Sequence, residues 1–281
     1  MAYVVSISEA RKSFPEYKFI KALTPSVQKA AFHVRKNRKN FCLKLIAPDY
    51  GRARLDREIL AMQSIRHKNV VRLVEYLFSS KEGEQRHYIL EQFIGGHDLT
   101  KKLVPGKCWN LGAAYSFFAE LCDGLSALAK LQIVHRDLKP SNVRVKPNGS
   151  PVLIDFGLAR HLTLTDLTSM GTGAAIGTPT YFAPEQFTGT KHDIDCRTDL
   201  FAVGVLLYQA LVGRHPFFRD GMSFDELREA VCESEACLRA RKFTVLPKRT
   251  KLLVSRLMAK ERADRPLNAT LVVSLLQKME G

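Results

Sequence analysis

Apolar and polar positions group near the start of the chain into short alternating or apolar segments at 17–23, 30–35 and 40–46, separated by turn-forming residues. That pattern predicts strands, and the polar run Arg35-Lys36-Asn37-Arg38-Lys39-Asn40 suits a hairpin tip. The period changes over 52–65, where Leu55, Ile59, Met62 and Ile65 fall on one stripe of a helix. Two more strands are expected at 70–78 and 87–93, and Gly95-Gly96 then breaks the pattern as a hinge between lobes would. Beyond Asp98 the period is helical. A long amphipathic run covers 111–131, and two strand-like pieces follow at 143–145 and 152–154. The stretch 161–180 is rich in Thr, Gly and Ser and has little periodicity; a loop that long inside a compact domain is usually functional. After Pro184 come a buried helix over 200–212 and amphipathic ones over 224–238, 250–260 and 269–279. The expected fold is α+β, with a small strand-rich lobe at 1–94 and a larger helical lobe at 95–281.

Composition narrows the class. With 46% hydrophobic and 25% charged residues, the 281-residue chain is neither disordered, collagenous nor a coiled coil throughout. Its most apolar stretch, 201–213, is too short to cross a bilayer, and the N-terminus carries Glu9, Arg11 and Lys12 where a targeting segment would be apolar. Six scattered cysteines without a C-x-x-C pair fit a reduced, cytoplasmic compartment without structural zinc. The charge is less ordinary: 43 Lys and Arg against 28 acidic residues leave +15, which implies an anionic partner such as phosphate, nucleic acid, anionic lipid or an acidic protein.

The chemistry concentrates in His135-Arg136-Asp137-Leu138-Lys139-Pro140-Ser141-Asn142, followed thirteen residues later by Asp155-Phe156-Gly157 and then by Ala183-Pro184-Glu185. Upstream, Phe41-Cys42-Leu43-Lys44 ends a predicted strand and Glu58 lies on the next predicted helix. In this order and spacing the five elements resemble the eukaryotic-type (Hanks-type) Ser/Thr protein kinase family, from about Tyr17 to Leu276. The resemblance implies a bilobal fold and transfer of the γ-phosphoryl of Mg·ATP, with Mn²⁺ an alternative ion, to Ser/Thr hydroxyls of protein substrates. It implies Asp137 as the group orienting the attacking hydroxyl and Lys139 as the cation beside the transferred phosphoryl. Asn142 and Asp155 would be the metal ligands, and Lys44, held by Glu58, would contact the α- and β-phosphates. By the same resemblance Glu185 and Arg265 form a buried ion pair, and Asp199 supports the backbone of the catalytic loop.

Two features depart from the family pattern. The nucleotide-covering loop should carry three glycines, but Thr24, Ser26 and Lys29 stand in their places. Without glycine the backbone approaches phosphate less closely. Either Lys29 and a hydroxyl contact phosphate with side chains, or nucleotide binding is weakened or lost. Under the adenine an apolar residue is replaced by Arg144, which would stack on the base or swing out to a salt bridge. The small roof positions are Ala31 and Cys42. Glu91-Gln92-Phe93 would offer backbone groups to the adenine edge, with Leu90 as gatekeeper and His97 or Asp98 toward the ribose. The loop between Asp155 and Glu185 holds Thr163, Thr165, Thr168, Ser169, Thr172 and Thr178; Arg136 beside Asp137 implies that phosphorylation orders it, with Thr168, Ser169 and Thr172 as candidate autophosphorylation sites.

The intact Asp137, Lys139, Asn142 and Asp155 set favours an enzyme. The altered loop favours the alternative, a pseudokinase or weak kinase serving as a binding scaffold. Nucleic-acid binding, suggested by the basic clusters at 35–39 and 248–251, lacks a recognisable fold or aromatic platform. The charge excess then reads as phosphate chemistry plus attraction to an acidic substrate or partner.

Overall fold

The computed structural model describes residues 2–26, 29–47, 59, 62–81, 84–155, 179–188 and 194–280. It divides into two units, Met1–Ile94 and Gly95–Gly281.

The first unit begins with a helix that hydrophobic periodicity does not announce. Ser6 accepts a hydrogen bond from the Glu9 backbone N–H at 3.1 Å, and the Glu9 carboxylate accepts one from the Ser6 N–H at 2.9 Å. This reciprocal cap starts α1, Ile7–Ser13. Strands β1 (Lys18–Ala22), β2 (Lys29–Lys36), β3 (Lys39–Ile46), β4 (Leu73–Lys81) and β5 (Glu84–Gln92) form an antiparallel sheet in the order β1-β2-β3-β5-β4. The β2–β3 turn is made by Asn37 and Arg38, both with positive φ (49° and 63°). That two-residue geometry matches strand twist, so the expected hairpin tip is where the polar run lies. β4 and β5 run three residues nearer their connecting turn than the apolar pattern suggests. Polar residues such as Ser79, Ser80, Gln85 and Arg86 pair through the backbone there and leave no apolar trace. Of the helix expected over 52–65, only Ile59 and 62–65 are described, and Ile59 and 62–64 are helical.

Strand alternation sorts this sheet into two faces. Ala30, Phe32, Val34, Leu43, Tyr88 and Leu90 point into a core closed by Ala10, Phe14 and Tyr17 from the N-terminal segment. The alternate positions Ala31, His33, Cys42, Lys44, Ile89 and Glu91 share the opposite face.

The second unit contains a small sheet of β6 (His97–Asp98), β7 (Val143–Val145) and β8 (Pro151–Leu153), with β7 central. Its helices are α2 (Leu111–Ala129), α3 (Pro184–Thr188), α4 (Cys196–Val212), α5 (Phe224–Cys232), α6 (Arg241–Thr244), α7 (Lys248–Leu257) and α8 (Ala269–Glu280). The amphipathic run expected over 224–238 ends early, at Cys232, and resumes as a 3₁₀ turn at Ala236–Arg239. Helix α4 is apolar nearly all round and buried, capped by Asp195 at its start and by Gly213 (φ 77°) at its end. Midway along it, a Cβ on Gly204 would fall 2.7 Å from the Leu257 Cβ, so glycine lets α4 meet α7 closely. Among the described residues no helix is long and apolar enough to cross a membrane.

Candidate active site

The first unit contributes a buried ion pair. Lys44 on β3 and Glu91 on β5 lie on the same face of the sheet, and the Lys44 ammonium is hydrogen-bonded to Glu91 Oε2. Their side chains are only 4% and 3% exposed, so neither charge has water to fall back on. Ala31 lies opposite Lys44 and Cys42 opposite Glu91, which brings the two roof residues onto this face as well.

Two expectations change here. Leu90 is not the gatekeeper, because its side chain belongs to the core on the other face; the residue on the Lys44 face is Glu91. Glu91, expected to offer only backbone groups, uses its carboxylate. Nor are the next backbone groups open donors: Gln92 N–H donates to Arg72 O at 2.9 Å and Phe93 N–H to Asn40 O at 3.4 Å. The Phe93 ring stacks on His33, centroids 3.8 Å apart. Lys29 starts β2, and its carbonyl accepts from Ser26 N–H at 2.9 Å, closing the glycine-less loop by a backbone bond. Glu58 lies outside the described residues.

The second unit carries the larger cluster. Asp199 in the first turn of α4 is buried, and its two oxygens accept the backbone N–H groups of His135 and Arg136, each at 2.8 Å. Burial pushes the Asp199 carboxyl above its ordinary range, while His135, Arg136 and these two donors pull it down. The clamp helps hold Arg136 at φ 64°, a conformation costly for a non-glycine residue. Asp137 then follows in a fixed orientation. Its Oδ2 accepts from Lys139 Nζ at 2.7 Å and from Asn142 Nδ2 at 2.9 Å. Its Oδ1 is buried and has no hydrogen-bond partner among the described residues.

Asn142 Nδ2 also donates to the Asp137 carbonyl at 2.7 Å, which fixes the amide with its nitrogen toward Asp137 and leaves its oxygen as the outward acceptor. The Asn142 carbonyl accepts from Ile154 N–H at 3.0 Å, tying the end of the catalytic loop to the residue before Asp155. Asp155 itself has φ 60°, a second strained residue at this place. An amide oxygen and a carboxylate are hard donors that fit Mg²⁺. Among the described residues no group of three or more His, Cys, Asp and Glu could hold a metal unaided.

Arg144 takes the salt-bridge course. It donates to Asp98 Oδ1 at 2.7 Å and to the Gly96 carbonyl at 2.6 Å, so Arg144 and Asp98 are bound to each other across β6 and β7. Below the catalytic loop, Gln186 donates to the Arg136 carbonyl at 2.9 Å, and Arg265 grips Glu185 through two bonds of 2.7 and 2.8 Å. The segment with Phe156, Gly157, Thr163, Thr165, Thr168, Ser169, Thr172 and Thr178 lies outside the described residues.

A model of the protein kinase domain matches residues 26–275. The chain belongs to the protein kinase family. Within that family it is 29% identical over 245 residues to the serine/threonine-protein kinase pkn3 of Myxococcus xanthus, covering 84% of this chain and 43% of that protein. It is 36% identical over 168 residues to pkn2 of the same organism (58% and 19%). It is 28% identical over 226 residues to a probable serine/threonine-protein kinase PknB of Bifidobacterium longum (78% and 32%). The chain thus matches less than half the length of each of these kinases.

One titratable group beside this kinase core had no signal in the sequence. His215, just after α4, is half-buried with its Nε2 enclosed, and its Nδ1 accepts from Phe217 and Phe218 N–H at 3.1 and 2.9 Å. Burial pushes its pKa down from 6.5 to about 3, and the Thr180 backbone opposes this only weakly. A histidine whose folded pKa is depressed contributes fully above its unfolded pKa, and the contribution is lost as pH falls from 6.5 toward 3. The expected loss is about 2 kcal/mol at pH 5 relative to pH 8. Urea unfolding at both pH values checks this. His215→Asn is expected to be less stable at pH 8 but to show a flatter pH dependence, and equal slopes would contradict the assignment.

Proposed function

We propose that the chain transfers the γ-phosphoryl group of ATP to Ser or Thr hydroxyls of protein substrates. The observation that supports this best is the state of Asp137. One carboxylate oxygen is held by Lys139 and Asn142, and the other is buried without a partner among the described residues. An orphaned buried acceptor is costly unless something arrives to satisfy it, and a substrate hydroxyl is such a donor.

The roles follow from the geometry. Asp137 Oδ1 accepts the proton of the incoming hydroxyl and aims its oxygen at phosphorus. Lys139, already at Asp137, offsets charge on the phosphoryl oxygens as phosphorus breaks its bond to the ADP oxygen and forms one to the hydroxyl oxygen. The outward oxygen of Asn142 and the Asp155 carboxylate would hold Mg²⁺, which supplies neutralisation of the phosphate charge. Lys44 would contact the α- and β-phosphates through its ammonium. Ala31 and Cys42, small residues on the Lys44 face, suit a flat base, and Lys29 at the start of β2 would add a side-chain phosphate contact. Arg144 and Asp98, bound to each other, are the polar pair proposed to meet base and ribose.

Autophosphorylation at Thr168, Ser169 or Thr172 belongs to the same reading, with the Arg136 guanidinium as the acceptor of the new phosphate charge. The +15 charge favours protein substrates with an acidic surface. Incubation with γ-labelled ATP and Mg²⁺ or Mn²⁺, beside an acidic and a basic protein, tests the proposal. Label is expected on Ser or Thr of at least one protein and to vanish with Asp155→Asn. Equal labelling by wild type and variant under every metal condition would leave the scaffold reading in place.

A further inference from the structure

We propose that Glu91 is a positioning residue for Lys44, holding its ammonium from within the β-sheet at the place where it meets nucleotide phosphate. This rests on the nucleotide-binding part of the proposed function and deepens it.

The family resemblance gives the task of holding Lys44 to Glu58 on a helix. The sheet of this chain provides a second carboxylate on neighbouring backbone. β3 and β5 are hydrogen-bonded partners, with Cys42 opposite Glu91 and Lys44 opposite Ile89. Glu91 is therefore diagonal to Lys44 on one face, a separation that long side chains span. Two neighbours on this face, Ile89 and Ala31, are buried, while Cys42 opposite Glu91 is partly exposed. Two opposite charges with almost no solvent contact hold each other far more firmly than a surface pair, because little water screens them.

The geometry of the ammonium makes this compatible with phosphate binding. A lysine carries three N–H donors, so the bond to Glu91 Oε2 does not by itself exhaust what the ammonium can offer a phosphate oxygen. A strand residue also differs from a helix residue in what can move it. The Lys44–Glu91 separation is set by adjacent strands and does not change when a helix swings. The consequence is a lysine kept in register by the sheet, so that Glu58 is of lesser weight than Glu91. The opposite reading of the same contact is that Glu91 competes with phosphate for Lys44 and restrains binding. The two readings predict changes of opposite sign.

The test compares wild type, Glu91→Gln, Glu91→Asp and Glu58→Gln, using fluorescence titration with ADP and with adenosine. Adenosine lacks the phosphates that Lys44 would meet, so a general disturbance of the pocket weakens both ligands, whereas a misplaced Lys44 weakens ADP alone. Glu91→Gln is expected to lower ADP affinity by roughly tenfold, the value of a charge-assisted hydrogen bond, with adenosine unchanged. Glu91→Asp, which keeps the charge on a shorter stem, is expected to recover part of the loss, and Glu58→Gln to lose less than Glu91→Gln. Tighter ADP binding by Glu91→Gln, equal loss for both ligands, or a larger loss in Glu58→Gln would each overturn the proposal. So would a wild-type protein that binds ADP no better than adenosine. Phosphoryl transfer is measured separately on the same proteins: wild type that binds ADP yet transfers nothing defeats the enzyme reading and leaves the role of Glu91 standing.

Discussion

Replacing Asp137 by Asn is expected to lower the rate of phosphoryl transfer by about 10²–10⁴-fold, the usual worth of a positioned acid–base group. The effect is that large because the carboxylate does two things the amide cannot. In the proposed function its Oδ1 accepts the proton of the attacking hydroxyl, and its Oδ2 holds the Lys139 ammonium at 2.7 Å with negative charge. Asparagine keeps the size and one acceptor, so the bond from Asn142 Nδ2 survives and the loop stays folded. The variant is therefore expected to melt close to the wild type while its single-turnover rate collapses. A rate within threefold of wild type would show that Asp137 is not the group orienting the hydroxyl. A variant that loses activity only together with its fold would show that the contribution is structural.

The largest expected effect on stability lies at Arg265. All five of its N–H donors are used: Nε to the Ala259 carbonyl, Nη1 to Glu185 Oε1 and the Arg197 carbonyl, Nη2 to Glu185 Oε2 and the Lys260 carbonyl. The side chain has no solvent exposure, and the guanidinium also sits 5.0 Å from the centre of the Phe201 ring. Arg265→Ala leaves the Glu185 carboxylate buried without its cation, which costs about 3–5 kcal/mol. Arg265→Lys keeps a charge but cannot form the fork, so it recovers only part of the loss. A double variant, Glu185→Leu with Arg265→Met, removes both charges and is expected to be more stable than Arg265→Ala. Urea unfolding of the three proteins checks the order. A loss below 1 kcal/mol in Arg265→Ala would contradict the account of this pair.

Much of this was legible in the sequence because the residues concerned are close in the chain. His135 to Asn142 form one loop, and Asp137, Lys139 and Asn142 meet within it. The long helix at 111 is legible from its period and the helix at 196 from the apolar content of its part beyond Leu200, while the polar first turn Cys196–Asp199 leaves no apolar signal. What could not be read depends on pairing. Tyr88-Ile89-Leu90 is apolar on both faces, so alternation gives no phase, and a slip of one residue exchanges the faces of a strand. Only the ladder with β3 shows that Glu91, and not Leu90, shares the face of Lys44. The helix α1 is too short to show a period, although Ser6 and Glu9 carry the spacing of a capping box. The two residues of β6 are too few to leave a pattern, and they are what seats Asp98 beside Arg144.

The central claim is that Asp137 and its neighbours move phosphate onto protein hydroxyls. Mass spectrometry of a protein substrate after incubation with Mg·ATP, with wild type and Asp137→Asn side by side, tests it most directly. The account predicts phosphorylated Ser or Thr with the wild type, at a level at least about a hundred times that with the variant. Unmodified substrate and unmodified kinase in both reactions, with Mg²⁺ and with Mn²⁺, would contradict it.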